Sequence, residues 1–585
     1  MNTISFEYSF YRLEFFNLAS GDIRTENQVF WQPTQAQSLE LGIPVNDGDH
    51  TKNHLRLGRI ITENSRLYYV IFRGKALWEE LASLKRNTEA DILDAVFWND
   101  ALAFFFDEKR MTWNILANRA CSLPVFWCKT GTGYLASNRV IPDLKSSTSG
   151  FDVDPIGWAE ALLWDSPLRG RTIWKGINQL SSGYCLELER GAARSVCYNT
   201  LSLFGTESSD FHELAGYAAQ LNETAVLNSL APNQKYLVPL SGGLDSRAIL
   251  GSLKKSDERD VLTVSFGHAR SYDLSYAKLV ADKLSVPIQQ HILDEEHYQS
   301  DFAQFYSISG GIYHLMHCHL VASMLKVRES DRQVLVGFMG DPVAGADAGC
   351  DHSVDSPEAA VQHMLHRGGH TIKSLQSCFS REIADGIIKD IEHLYQDCLR
   401  KNPPAYFDEY YFVVERQSML ITHLFNSLLS IVDSIGFPFM DGNWARFYLN
   451  LSPTFRSKRA LYKASLVKGF PELSFIPSTS SYTTLTASER IIQLKYLEQR
   501  LVRRTQSVIE LLSNGRLSIP NSFQTENLPF ILNTVLASGL NHAALDLHDR
   551  GFLSQHFVQY LSQRHFSARH VPAAFRVISL AAFLG

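Results

Sequence analysis

The residues best suited to chemistry gather in residues 237–250, LVPLSGGLDSRAIL, where two glycines stand between serines and an aspartate follows. Leu237, Val238 and Leu240 read as a short buried strand, and Ala248, Ile249 and Leu250 open an amphipathic segment. Gly242 and Gly243 therefore fall at a strand-to-helix junction. Such junctions bind anions, because helix N-terminal N–H groups point outward and glycines let backbone approach the ligand; Ser241 and Ser246 add hydroxyl donors. A bare Gly-Gly pair also fits an ordinary turn. Asp341, in QVLVGFMGDPVAGAD, follows another apolar run, although Gly-Asp-Pro alone is a turn signature. His314, His317 and His319, in YHLMHCHLVASML, place two imidazoles on one helical face at i and i+3, a spacing that suits a metal or plain packing and solvation. Lys458, Arg459 and Lys463, in RSKRALYKASLVKG, offer positive charge to a phosphate or make a solvated helix face.

These groups must be held by larger elements. At 585 residues, with 45% hydrophobic and 20% charged residues, the chain is long enough for two or more cores. A net charge of −6, with no long run of Lys or Arg, advertises neither a nucleic-acid surface nor an acidic-membrane surface. The first residues lack a basic segment followed by an apolar signal core, and no run approaches the length of a membrane span, so the expected location is cytoplasmic. The eight cysteines show no CxxC spacing and read as reduced packing residues. Up to about residue 200, runs such as RLYYVIF, AVFWNDALAFFFDE and GYCLELERGAARSVCYNT predict a layered β-containing domain. LFGTESSD, residues 203–210, reads as a linker, and FHELAGYAAQLNETAVLNSL as the helix opening a second domain. Beyond it, strand patterns at 236–240, VLTVSF, IQQHIL and QVLVGF alternate with helical ones. That alternation predicts a parallel sheet whose ligands bind beyond the strands' carboxyl ends, and helical patterns dominate from about 380.

Ser241-Gly242-Gly243-Leu244-Asp245-Ser246 resembles the pyrophosphate loop of the asparagine-synthetase-like ATP pyrophosphatases. Unlike GxxxxGK[ST], it has no lysine for a transferred γ-phosphate, and so suits cleavage of ATP between the α and β phosphates. The resemblance implies ATP contacts from Leu240, Ser241, Gly242, Gly243, Asp245, Ser246, Val264, Ser265 and Gly340, with Asp245 and Asp341 as the Mg²⁺ ligands and catalytic carboxylates. Magnesium prefers such a set, one or two carboxylates plus phosphate oxygens. SIGFPFMDGNWARFYLNLSP resembles a late packing segment of the same family. The implied fold is α/β: an N-terminal glutaminase-like (Ntn-type) layered αββα domain over 1–205, then an ATP-pyrophosphatase domain with a parallel sheet and added helices over 210–585.

Departures from the family narrow the reading. The glutaminase domains it resembles need a cysteine after the initiator methionine, and Asn2 stands there; where they carry an Arg-Asp pair, this chain has Asn118-Arg119. Both point to lost ammonia production, so the attacking amine must come from elsewhere. β-Lactam synthetases and lasso-peptide cyclases work in that way. In the former a tyrosine three residues before the second aspartate pairs with a glutamate, and Phe338 stands there, leaving Glu415 as a candidate base or an ion-paired glutamate. Their late lysine is replaced by Ser478, Thr479 and Ser480. The favoured expectation is an AMP-forming macrolactam synthetase of the lasso-peptide cyclase type. It would act on a precursor peptide bound near His314, His317 and Phe338, alongside a leader-removing peptidase and a leader-binding protein. A β-lactam synthetase, an ammonia- or small-amine-dependent ligase, and a non-catalytic nucleotide- or peptide-binding scaffold remain alternatives.

Overall fold

The computed structural model describes strands within residues 2–43, then residues 56–138, 152–293, 318–349, 351–421, 431–513, 521–525 and 537–550 apart from short breaks, with isolated positions at 428 and beyond 550. Two seven-stranded sheets form the first part. One runs, edge to edge, Ile177–Gln179, Phe126–Lys129, Gly133–Ser137, Phe10–Phe16, Asn2–Glu7, Ile23–Thr25 and Val29–Phe30. The other runs Ala192–Cys197, Tyr184–Glu189, Thr112–Ala117, Ala101–Asp107, Leu67–Phe72, Arg56–Ile61 and Glu40–Ile43.

Alternation along the strands builds the layers, because successive side chains point to opposite faces. Ile71, Leu102, Phe104 and Ile115 of the second sheet meet Tyr134 and Ala136 of the first in one apolar cluster. Their neighbours Val70, Phe72, Ala103 and Phe105 turn the other way, under Leu77, Leu81, Ile92 and Val96. Those four belong to the helices Ala76–Ser83 and Glu89–Trp98, the second started by a capping box of Thr88 and Asp91. Phe126, Cys128 and Leu135 share a third, larger cluster with Trp158 and Leu162 of the helix Pro155–Trp164, which Asp154 caps ahead of a proline at its first turn.

The remaining sheet is parallel throughout, in the order Ile288–Ile292, Val261–Gly267, Lys235–Pro239, Arg332–Leu335, Ser434–Gly436. In chain order that is 3-2-1-4-5, so the direction of winding reverses between Lys235–Pro239 and Arg332–Leu335. Four of the strands fall where the pattern predicts. The fifth, three residues inside the segment expected only to pack, has no readable pattern of its own. The helix Phe211–Ser229 lies as predicted, capped by Asp210. No described helix is long and apolar enough to cross a membrane.

The two parts are bolted together by buried polar contacts. Arg119, fully buried, donates from Nε to the carbonyl of Trp98 at 3.1 Å and from Nη2 to that of Phe439 at 3.0 Å. Asn118 shapes the turn beside it, accepting N–H bonds from Ala120 and Ser122 and donating to the carbonyl of Ala101.

Candidate functional site

Strand-end loops at a reversal of winding form the crevice where open α/β sheets bind ligands. Here the two loops are those after Lys235–Pro239 and Arg332–Leu335, which carry Asp245 and Asp341. The first loop is knitted by its own hydroxyls: Ser246 Oγ accepts the Ser241 N–H at 3.2 Å, and Ser241 Oγ accepts the Gly243 N–H at 3.1 Å. The Gly242 N–H already points at an anionic acceptor, Oδ1 of Asp273 at 3.3 Å, whose other oxygen takes a hydrogen bond from Thr525 Oγ1. Gly242 has no room for a side chain: a Cβ there would meet Thr479 Cγ2 at 2.7 Å and Tyr276 Cβ at 3.1 Å. Thr479 also donates its N–H to the Gly242 carbonyl at 2.9 Å, so the Ser/Thr turn at 478–480 closes over this loop.

The second loop presses on the first. A Cβ on Gly340 would lie 2.5 Å from the Asp245 carboxyl carbon, and one on Gly337 2.5 Å from Asp245 Cβ. Between them Met339 adopts a left-handed backbone, φ 69°, where non-glycine residues are strained. The two loops are joined at their aspartates: the Asp341 N–H donates to Asp245 Oδ2 at 3.0 Å, and Arg459 Nη1 donates to Asp341 Oδ2 at 2.8 Å. Arg459 is aimed by two successive left-handed residues, Lys458 and Arg459. Just before them, Arg456 is locked to Glu409 in a fully buried ion pair at 2.6 Å.

Oδ1 of Asp245 and Oδ1 of Asp341 are buried with no well-formed hydrogen bond, although the Tyr462 hydroxyl lies close enough to Asp245 to favour its charged form. Loss of water, then repulsion from Asp341, pushes the Asp245 carboxyl well above the usual range; Tyr462, the Asp341 N–H and Arg459 oppose this. Two such carboxylates on adjoining strand-end loops are a donor set for a hard cation, with the remaining positions left to phosphate oxygens. Among the described residues no group of three or more His, Cys, Asp or Glu is arranged to hold a metal ion. Lys463, one helical turn beyond Arg459, is half buried in the same field, and burial, then Arg459, lowers its ammonium's pKa. Asp347 stays open to solvent beyond the same loop; partial loss of hydration raises its carboxyl against the pull of Arg367, with Asp408 and Asp341 adding to the rise.

Of the residues expected from sequence, Asp245, Asp341, Ser241, Gly242, Gly243, Ser246 and Gly340 come together here. Leu240 joins them through its N–H bond to the carbonyl of Val264, at 2.8 Å, and Ser265 is the next residue of that strand. Phe338 is buried against Phe437, ring centroids 5.2 Å apart, as a core side chain and not part of an open surface. His314 and His317 lie outside the described residues. Glu415 is drawn elsewhere. It is buried in the π-helix Tyr411–Ile421, accepts the backbone N–H of Arg169, and belongs to a network of Asp154, Glu160, Asp390 and Asp397 with Arg169 and Arg171. None of its described contacts is with Asp245 or Asp341. Sequence reasoning missed Asp273, Tyr462 and Asp347; an aspartate in the first turn of the helix after strand two was the one local signal, for Asp273. A separate cavity, lined by Arg73, Asp100, Asn228, Gln333, Phe437 and Asp441, shares no residue with the aspartate site.

Comparison with known proteins agrees with this geometry. Residues 218–343 match the asparagine synthase family, a stretch that holds the glycine loop and both aspartates. This part of the chain is an asparagine-synthase-type, ATP-dependent ligase domain. Among solved structures, the chain is similar to an NH3-dependent NAD synthetase from Campylobacter jejuni subsp. jejuni, at 16% identity over 35% of this chain and 93% of that one, with a TM-score of 0.19. No curated protein matches.

Proposed function

We propose that the protein is an AMP-forming amide ligase that activates a side-chain carboxylate of a peptide and joins it to the peptide's own N-terminal amine, as lasso-peptide cyclases do. The observation that carries the reading is the pair of orphaned carboxylate oxygens on Asp245 and Asp341 beside a lysine-free glycine loop. Asp245 and Asp341 would hold Mg²⁺, which supplies charge neutralisation for the phosphates. The loop N–H groups and the Ser241 and Ser246 hydroxyls bind the β and γ phosphates as a leaving unit, with Arg459 and Lys463 adding positive charge where the late lysine is missing.

The substrate carboxylate attacks the α phosphorus, the α–β bond breaks and pyrophosphate leaves. The amine then attacks the acyl carbon, AMP departs, and one amine proton is lost; Asp347, open to solvent in the field of Asp341 and Arg459, takes it. An amine tethered in the same peptide gains effective concentration that free ammonia lacks. Asn118 and Arg119 support this assignment, since Asn118 holds its own turn and Arg119 is buried on the carbonyls of Trp98 and Phe439. The test is mass spectrometry with a linear peptide bearing a free N-terminus and an internal Asp or Glu. The expected result is loss of one water, dependent on ATP and Mg²⁺ and blocked by N-terminal acetylation, with AMP formed and no glutamate released from glutamine. ADP formation, or a side-chain amide made from added ammonia in preference to a ring, overturns it.

A further inference from the structure

Three successive N–H groups of the glycine loop have acceptors within the protein, and one acceptor differs in kind. The Ser241 and Gly243 N–H groups go to the hydroxyls of Ser246 and Ser241, neutral rotors that can turn to meet an incoming oxygen. The Gly242 N–H goes to a carboxylate, Oδ1 of Asp273 at 3.3 Å. A loop suited to phosphate therefore already holds an anion of the protein's own. Service to its own helix, Tyr272–Leu284, does not explain this aim, although an acid in a first turn suits the helix dipole. Ser271 caps that helix through the Leu274 N–H, and both Asp273 oxygens turn away from it, Oδ2 accepting from Thr525 Oγ1 at 2.5 Å. A backbone N–H and a hydroxyl hold the charge without neutralising it. Thr525 reaches Asp273 from a strap, residues 521–525, that is fastened at several points. The His268 N–H donates to the Thr525 carbonyl at 2.8 Å and the Tyr272 N–H to that of Ser522 at 2.9 Å. Phe523 packs on Tyr272 and Tyr482, ring centroids 5.1 and 4.7 Å away, and Asn521 Nδ2 donates to Gln506 Oε1 at 3.2 Å, on the helix Glu489–Leu512.

We infer that Asp273 is an internal competitor for the phosphate site: its carboxylate takes the place of a phosphate oxygen on the Gly242 N–H and gives way when nucleotide seats, with Thr525 setting how firmly it is held. Charge carries the argument. A carboxylate and a phosphate oxygen compete for one N–H, and two anions at that range repel, more strongly in a half-buried crevice than in water. A site competent only while Asp273 is turned aside binds nucleotide more weakly, in proportion to the fraction of molecules in that state. The same contact keeps the loop shaped for an anion, so seating a phosphate exchanges one acceptor for another and does not build the site anew. Movement of the strap, through Gln506 or Phe523, would change affinity at Gly242 without touching it. The inference rests on the phosphate reading of the loop and not on the cyclisation of a peptide.

The test is titration calorimetry of the full-length protein with inorganic pyrophosphate and Mg²⁺. Asp273→Asn keeps an oxygen for the Gly242 N–H and loses the charge, so it should bind pyrophosphate about tenfold more tightly than wild type. Thr525→Val unfastens the carboxylate and should tighten binding about threefold, whereas Thr525→Ser keeps the hydroxyl and should restore the wild-type value. A residue that only braces the loop, or one that holds Mg²⁺, gives the opposite sign: its loss weakens binding. Equal or weaker binding by an Asp273→Asn protein that melts like wild type therefore overturns the inference while leaving the phosphate reading in place. Should that variant fail to fold, Thr525→Val decides by the same sign. Absence of pyrophosphate binding in wild type and every variant removes the phosphate reading of the loop, and the inference with it.

Discussion

Two groups of buried carboxylates sit in this molecule, and their surroundings differ in what they leave unsatisfied. At the junction of the two parts, Asp154, Glu160, Asp390, Asp397 and Glu415 face Arg169 and Arg171, with Arg171 reaching Asp390 at 2.6 Å and Asp154 at 3.1 Å. One oxygen there, Oε1 of Glu160, has no hydrogen bond, and burial, then Asp390, raises the Glu160 carboxyl well above the ordinary range. At the strand ends, Asp245 and Asp341 share a single arginine, and both leave an oxygen bare. The two stand on adjoining strand-end loops beside N–H groups that favour anions. Burial of acids does not by itself mark a site; acids left short of partners where a ligand can reach them do.

The largest effect should follow from removing the bare oxygens. Asp245→Ala and Asp341→Ala should each lower ATP-dependent AMP formation by roughly a thousandfold or more, since a ligand to a charge-neutralising metal is worth several kcal/mol in the transition state. Glu415→Gln should leave the rate within about tenfold of wild type, because Glu415 touches neither aspartate. Near-normal turnover in either alanine variant, or a Glu415→Gln enzyme as dead as they are, would erase the distinction between the two groups.

Stability should divide along the same line. Asp245→Asn replaces a buried carboxyl whose charged form burial and Asp341 already disfavour, so the ligand-free variant should melt at or slightly above wild type. Mg²⁺ with ATP should raise the melting temperature of wild type and much less that of the variant. Arg456→Met should do the reverse. It strands Glu409 in the core and frees the turn that aims Arg459, costing roughly 3–5 kcal/mol, visible as a large drop in melting temperature with or without ligand. Equal melting of Arg456→Met and wild type would remove that pair from the support of the site.

The sequence is legible where the chemistry is local. SGGLDS announces its loop because hydroxyls, glycines and helix start lie within six residues, and GDP gains meaning from the strand pattern before it. What could not be read is what distant segments bring. Arg459 reaches Asp341 across 118 positions, and Asp273 meets the Gly242 N–H across 31. The strand Ser434–Gly436 is too short for any period, yet it completes the sheet. Glu415 shows the limit most plainly. Its neighbours in YYFVVERQSM announce burial, but whether a buried glutamate is a base or one end of a network depends on Arg169, 246 positions away.

That same residue gives the finest discrimination. Burial pushes the Glu415 carboxyl from its ordinary 4.5 up to about 7, with the Arg169 N–H and charge opposing the rise and Asp397 and Asp390 adding to it. An acid whose pKa is raised on folding holds its proton more tightly in the folded state. Its contribution is fully present below about pH 4.5 and is lost as pH rises through about 7. The loss is at most about 3 kcal/mol, since one unit of pKa is about 1.4 kcal/mol. Glu415→Gln keeps an oxygen to accept the Arg169 N–H and cannot ionise. Its melting temperature relative to wild type should therefore climb from pH 5 to about pH 7 and level off as the folded wild-type carboxyl gives up its proton. A difference that stays constant over that range would mean the glutamate is already charged at pH 5. The junction would then be held by ion pairs throughout, where the aspartate site has Arg459 on Asp341.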